Sequence, residues 1–170
     1  MTSDEMIAQA FGFLSLALGI STFYQKDDRK LKIVMLIFNL NHLIHYFLLG
    51  SIVSAFSALL SVFRTAMSIK TSSKLIAFIF IAITFISGLL MIDHLWQLWP
   101  ILGSMIGTYT LFVLKGIKMR IGFLLGGCCW LTNNILVGSI GGTLLEMTAI
   151  SMNLITIYRL SKVAPLTLKS

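Results

Sequence analysis

The side chains in this sequence that can do chemistry mostly interrupt long apolar runs. Glu146 stands within LLEMTAI, and Arg64 within SVFRTAM. A carboxylate there either grips a solute or takes up a proton with it, because a polar group in hydrocarbon needs a partner or a water-filled cavity. His42 and His45 follow i, i+3 spacing and share a helical face, with Asn39 and Asn41 beside them. A second cluster holds Trp130, Thr132, Asn133 and Asn134, and Asn153 follows on a later segment. Amides and imidazoles supply donors and acceptors for hydroxyl groups, and an indole supplies a face for a ring. The plainer role is structural: amides and imidazoles tie membrane helices together, a buried glutamic acid is kept neutral by a neighbour, and an arginine snorkels to the interface.

Other chemistry is poorly supplied. His42 and His45 have no Cys or carboxylate at ligand spacing, so neither a metal nor a haem is expected. Cys128 and Cys129 are adjacent in an apolar run and suggest no disulfide. There are no paired carboxylates, no phosphate-binding glycine loop and no Ser-His-Asp grouping. Neither an enzyme nor a cofactor is expected.

These groups need a scaffold, and composition names its class. Of the 170 residues 57% are apolar and 11% charged, and the mean hydropathy is +0.93. A soluble surface needs about 25% charged residues, so the pattern is that of a polytopic membrane protein. About 20 helical residues cross a hydrocarbon core. Seven helices are expected, at 5–24, 31–49, 51–69, 75–93, 95–114, 121–137 and 139–159, with tight reversals at Gly50-Ser51 and Gly138-Ser139. The acidic leader before the first of them suggests a retained helix and no cleaved signal.

Charge orients this arrangement. The net charge is +7, with basic residues gathered at 26–32, 70–74, 115–120 and 159–169. All of these fall on the C-terminal side of a seven-helix path, where they act as interfacial anchors beside anionic lipid and not as a nucleic-acid surface. The N-terminus is then outside and the C-terminus cytoplasmic. On their helices Arg64 and Glu146 differ in depth by about 9 Å at the helical rise per residue, a gap two long side chains can bridge as a charge pair.

The chain also repeats itself. Gly50-Ser51-Ile52 and Gly138-Ser139-Ile140 are 88 residues apart, and the same offset aligns Lys30-Leu31-Lys32-Ile33 with Lys118-Met119-Arg120-Ile121. The reading is two parallel three-helix repeats joined by a linker helix: 1–70, the linker 71–94, 95–160, and a cytoplasmic tail 161–170. A parallel repeat places the solute site near the midplane where the repeats meet. This 3+1+3 plan resembles SWEET and PQ-loop proteins, a likeness that implies transport and points weakly to Asn153 as a solute contact. Pro100 is the one proline within an expected span, so SWEET-like helix bending lacks a symmetric partner.

Three segments carry a closer resemblance: Lys26-Asp27-Asp28-Arg29, the stretch from Lys115-Gly116 to Met119-Arg120, and the run from Cys128-Cys129-Trp130 through Asn134 to Gly138-Ser139-Ile140-Gly141-Gly142-Thr143. They are similar to the YgjV-like family of bacterial inner-membrane proteins, which implies a multi-pass inner-membrane location. The expected function is a small facilitator or proton-coupled carrier of a polar solute such as a sugar or sugar acid. Its solute contacts are His42, His45, Asn41, Trp130, Asn133, Asn134, Glu146 and Asn153. A non-transporting scaffold or sensor is the alternative. The expected partners are the bilayer and the solute, and a homo-oligomer is compatible with both readings.

Overall fold

A computed structural model describes residues 3–48, 52–90, 94–136 and 140–163. These are all-helical: α1 (Ser3–Tyr24), α2 (Asp28–Leu48), α3 (Ile52–Lys70), α4 (Lys74–Leu89), α5 (Leu98–Val113), α6 (Gly116–Leu136) and α7 (Ile140–Val163), with one 3-10 turn, Leu95–Gln97, before α5. The reversals at Gly50-Ser51 and Gly138-Ser139 lie outside the described residues. The chain forms two compact units, 1–70 and 71–170.

Local chemistry sets the helix ends. α2 begins three residues before the expected start because Asp27 caps it, its Oδ1 accepting from the Lys30 amide at 2.7 Å. Ser73 caps α4 in the same way through Ile76 N–H. α6 begins at Gly116 and not at residue 121, since Gly116 takes a left-handed φ of 55° and turns the chain within a two-residue link. Pro100 falls in the first turn of α5, where a missing N–H leaves no acceptor unsatisfied. It therefore gives no cause for a bend within the helix, in keeping with the lack of a symmetric proline.

In the first unit α2 packs against both α1 and α3. The Lys32 ammonium donates to the Ser68 carbonyl at 2.8 Å, which sets the start of α2 beside the end of α3. The exposed bases Lys26, Arg29, Lys30 and Lys70 share that end. In the second unit α4 packs on α5, α5 on α6 and α6 on α7. Phe80 and Phe112 meet at 6.0 Å between ring centroids, and Gly88 abuts Ile101, so α4 runs antiparallel to α5. Exposed Lys74, Lys115, Lys118 and Lys162 then lie at one end of this unit.

Polarity is inverted relative to a water-soluble bundle. Ser15, Thr22, Asn39, Asn41, Thr65 and Ser68 are buried in the first unit, and Thr108, Thr110, Arg120, Asn153 and Thr156 in the second. Large apolar side chains point outward instead, with Phe47 77% and Leu75 70% exposed. On α2 the exposed stripe is Ile33, Ile37, Leu40, Ile44 and Phe47. On α6 it includes Ile121, Leu125 and Ile135, each 88 residues later than a member of the first. Among the described residues, no helix is long and apolar enough to cross a membrane. α4 and α5 are strongly apolar but have 16 residues each, while α2, α6 and α7 carry polar groups that lower their hydropathy. The seven expected crossings are thus not visible helix by helix; the apolar character lies on the outer faces.

Two bases expected as interfacial anchors are buried instead. Lys32 is 8% exposed and Arg120 0%. Lys32 satisfies a carbonyl of the last turn of α3, which has no acceptor role left within its own helix and sits at the negative end of the helix dipole. Arg120 occupies the matching place in α6, on the side that meets α7.

Backbone contact holds α5 to α6. A Cβ added to Gly126 would meet the Gly103 carbonyl oxygen at 3.3 Å, and one added to Gly103 would meet the Trp130 ring at 2.8 Å. Gly122 is filled in turn by Thr110. Small residues at four-residue spacing on both helices permit this approach. Gly107, by contrast, has open space where its Cβ would be. We expect Gly126→Leu to lower the unfolding temperature of the detergent-solubilised protein and to broaden its elution profile. Gly107→Ala should leave both unchanged or gain at most about 1 kcal/mol from helix propensity. Equal behaviour of the two variants would remove the backbone contact as the cause.

Candidate functional site

On α2 the polar side chains divide by direction. Asn39 Nδ2 donates to Thr65 Oγ1 at 2.9 Å and to the Ser61 carbonyl at 3.4 Å, so it ties α2 to α3. Asn41 Nδ2 donates to Ser15 Oγ at 2.7 Å and to the Phe11 carbonyl at 2.8 Å, so it ties α2 to α1. Two residues apart on a helix, they point to opposite sides, which is what a central helix needs. His42 and His45 occupy the remaining face, away from the exposed apolar stripe. Both are half-buried, their rings stack at 6.3 Å, and His42 lies 4.4 Å from the Phe38 ring.

On α3, Thr65 faces α2, Leu59, Phe63 and Met67 are exposed, and Arg64 is half-buried between these directions. Its Nη2 donates to Ser61 Oγ at 3.5 Å, one turn back on the same face. The expected snorkelling is one use of such a residue; here the guanidinium leans along its own helix toward a hydroxyl.

The second unit distributes its polar groups differently. Asn153, 1% exposed, donates from Nδ2 to the Arg120 carbonyl at 2.6 Å and ties α7 to α6. Its Oδ1 is buried without a hydrogen-bond partner among the described residues. Two turns earlier on the same α7 face, Glu146 Oε2 lies 3.6 Å from where a Gly127 Cβ would be. Gly127 stands at the position that Asn39 holds in the first unit, 88 residues earlier. The absence of a side chain there lets α7 come close: Ile150 Cγ1 lies 3.2 Å from the same Cβ position, with the carboxylate beside it. Glu146 is half-buried, and among the described residues it has no hydrogen bond or ion pair. Trp130 covers Gly103, while Asn133 and Asn134 are half-buried on α6. Cys128 and Cys129 are both free thiols. No group of three His, Cys, Asp or Glu that could hold a metal occurs among the described residues.

The expected solute contacts therefore separate. Asn41 and Asn153 hold helices together, and a solute could use those amide groups only by breaking the ties. His42 and His45 stay together on one face. Arg64 belongs to the first unit and Glu146 to the second. Sequence reasoning missed Gly127, Lys32 and Arg120 as members of the polar seams. The signal was present in the 88-residue alignment, which pairs Lys32 with Arg120 and Asn39 with Gly127.

An apolar exterior around a hydrogen-bonded polar interior is the distribution that lipid imposes. The Imp-YgjV family, described as bacterial inner membrane protein, matches residues 6–164. The chain belongs to this family. It is also similar to "Inner membrane protein YgjV" of Escherichia coli (strain K12), at 35% identity over 153 residues, covering 90% of this chain and 84% of that protein. No solved structure matches. As a member of an inner-membrane family, the protein lies in the bacterial inner membrane. Membership also gives the asparagine ties their setting, since a lost partner in lipid cannot be replaced by water.

Hydrogen bonds between membrane helices contribute on average about 0.6 kcal/mol and at most about 1.7 kcal/mol each. Asn39→Leu and Asn41→Leu should each destabilise the purified protein within that range, read from unfolding in detergent. A loss below about 0.3 kcal/mol for both would show that these contacts do not hold the first unit together.

Proposed function

We propose that the protein is a small membrane transporter, a facilitator or proton-coupled carrier, of a small polar solute such as a sugar or sugar acid. In this reading it works by alternating access between two parallel three-helix repeats joined by α4. The observation that carries the proposal is Glu146. A carboxylate within a membrane helix, packed beside Gly127 and without a hydrogen bond or ion pair among the described residues, supports a role in taking a guest or a proton. A purely structural acid would be bonded to its neighbour, as Asn39, Asn41 and Asn153 are.

Recurrence at 88 residues supports the repeat. α2 and α6 have 21 residues each and begin at 28 and 116, and α3 and α7 begin at 52 and 140. Thr22 and Thr110 both donate to the carbonyl four residues earlier, at 2.8 and 2.7 Å, and both are buried. The gathering of exposed bases at one end of each unit supports a cytoplasmic placement of those ends and an outside N-terminus.

A second reading, a scaffold or sensor that transports nothing, is favoured by the three asparagine ties, which are the bonds a purely structural interior would have. Solute counterflow in proteoliposomes separates the two. With sugars, sugar acids, amino acids and polyols at two pH values, a saturable signal for one class is expected. Glu146→Gln should abolish that signal or its pH dependence while the protein still elutes as a folded species. Silence across the panel from folded protein would favour the scaffold.

A further inference from the structure

The non-lipid face of the first unit names a charge for the solute. Asn39 bonds both Ser61 and Thr65, so Arg64, which lies between them in sequence, is at the depth of Asn39. His42 follows one turn further along α2 and His45 two turns, at about 4.5 and 9 Å along the axis for a rise of about 1.5 Å per residue. α2 and α3 are antiparallel and both right-handed. With the α2–α3 contact and the exposed stripes fixed on each, the faces that remain lie on one side of the unit. That side carries Arg64 and Ser61 from α3 and His42 and His45 from α2.

Within the first unit the charged and titratable groups of this face are of one sign. From Lys30 to Ile92 the sequence contains no Asp or Glu, and the acids of the first unit stand only at 4, 5, 27 and 28. Arg64 brings a permanent charge and a planar fork suited to a carboxylate, while the imidazoles one and two turns away offer further donors. A single guanidinium matches a monoanion.

Resting on the transport reading above, we infer that the solute is a small organic monocarboxylate, its carboxylate held at Arg64 and Ser61 and its remaining polar groups facing His42 and His45. A lipid phosphate offers the same oxyanion chemistry to the fork. The test is therefore run in vesicles of zwitterionic phosphatidylcholine alone, and repeated with added anionic phosphatidylglycerol.

Counterflow is measured for matched pairs, a hexuronate against its hexose and an aldonate against its polyol, with the wild-type chain, Arg64→Gln and Arg64→Lys. The acid should exchange at least tenfold faster than its uncharged counterpart. Arg64→Gln should remove that preference, and Arg64→Lys should keep part of it, since a point charge remains without the fork. If the uncharged member exchanges as fast and Arg64→Gln leaves it unchanged, the carboxylate assignment fails while transport stands. If no compound exchanges, the transport reading fails with it. If the double variant Arg64→Gln/Glu146→Gln restores the acid exchange lost in Arg64→Gln, the charge of Arg64 is balanced inside the chain and the assignment also fails. Loss of the preference on adding phosphatidylglycerol would identify lipid phosphate as the occupant and overturn the assignment. Elution as a folded species is required of Arg64→Gln, and Arg64→Lys carries the comparison if that variant does not fold.

Discussion

A hydrogen-bonding group in lipid has no solvent to fall back on, and the interior of this protein is arranged around that fact. α2 shows it most directly. Asn39 and Asn41, two residues apart, hold the helices on either side through side-chain amides, and each bond reaches both a hydroxyl and a backbone carbonyl. With these polar groups turned inward, the outer surface of the helix is left to isoleucine, leucine and phenylalanine. Lys32 follows the same rule, its ammonium meeting a carbonyl that has no partner left within its own helix.

The two units solve one geometric problem with different residues. In the first the amide sits on the central helix and small side chains, Ala58 and Thr65, sit opposite. In the second the central helix supplies Gly127, and the polar groups, Glu146 and Asn153, come from the last helix. Moving the polar group from one helix to the other leaves a carboxylate where the first unit has alanine. That asymmetry sets the two interiors apart: amide ties on the central helix in the first, a carboxylate beside a glycine in the second.

Much of this was legible in the sequence, for definable reasons. The all-helical class and the gathering of exposed bases at one end of each unit follow from hydropathy and charge order, which are properties of the chain alone. Helix starts were misplaced where a cap decided them, at Asp27 and Gly116, because charged residues next to a span can be helical or not and only the capping bond settles it. The burial of Lys32 and Arg120 left one trace in the sequence, their pairing at 88 residues, but a base near a helix end looks the same whether it meets lipid headgroups or a neighbouring carbonyl. Nor does sequence reveal which amides are taken up by packing: Asn41 and His42 are adjacent, and only the position of α1 separates a tie from an open face.

The bonds of α2 also differ in when they can form. Ser15 and Phe11 precede Asn41 in the chain, so the tie to α1 is available as soon as α2 enters the membrane. Thr65 and Ser68 come later, and Ser68 is 36 residues beyond Lys32. Until α3 has been synthesised, the ammonium of Lys32 has no Ser68 carbonyl to meet, so the partners of α2 become available in chain order, α1 before α3.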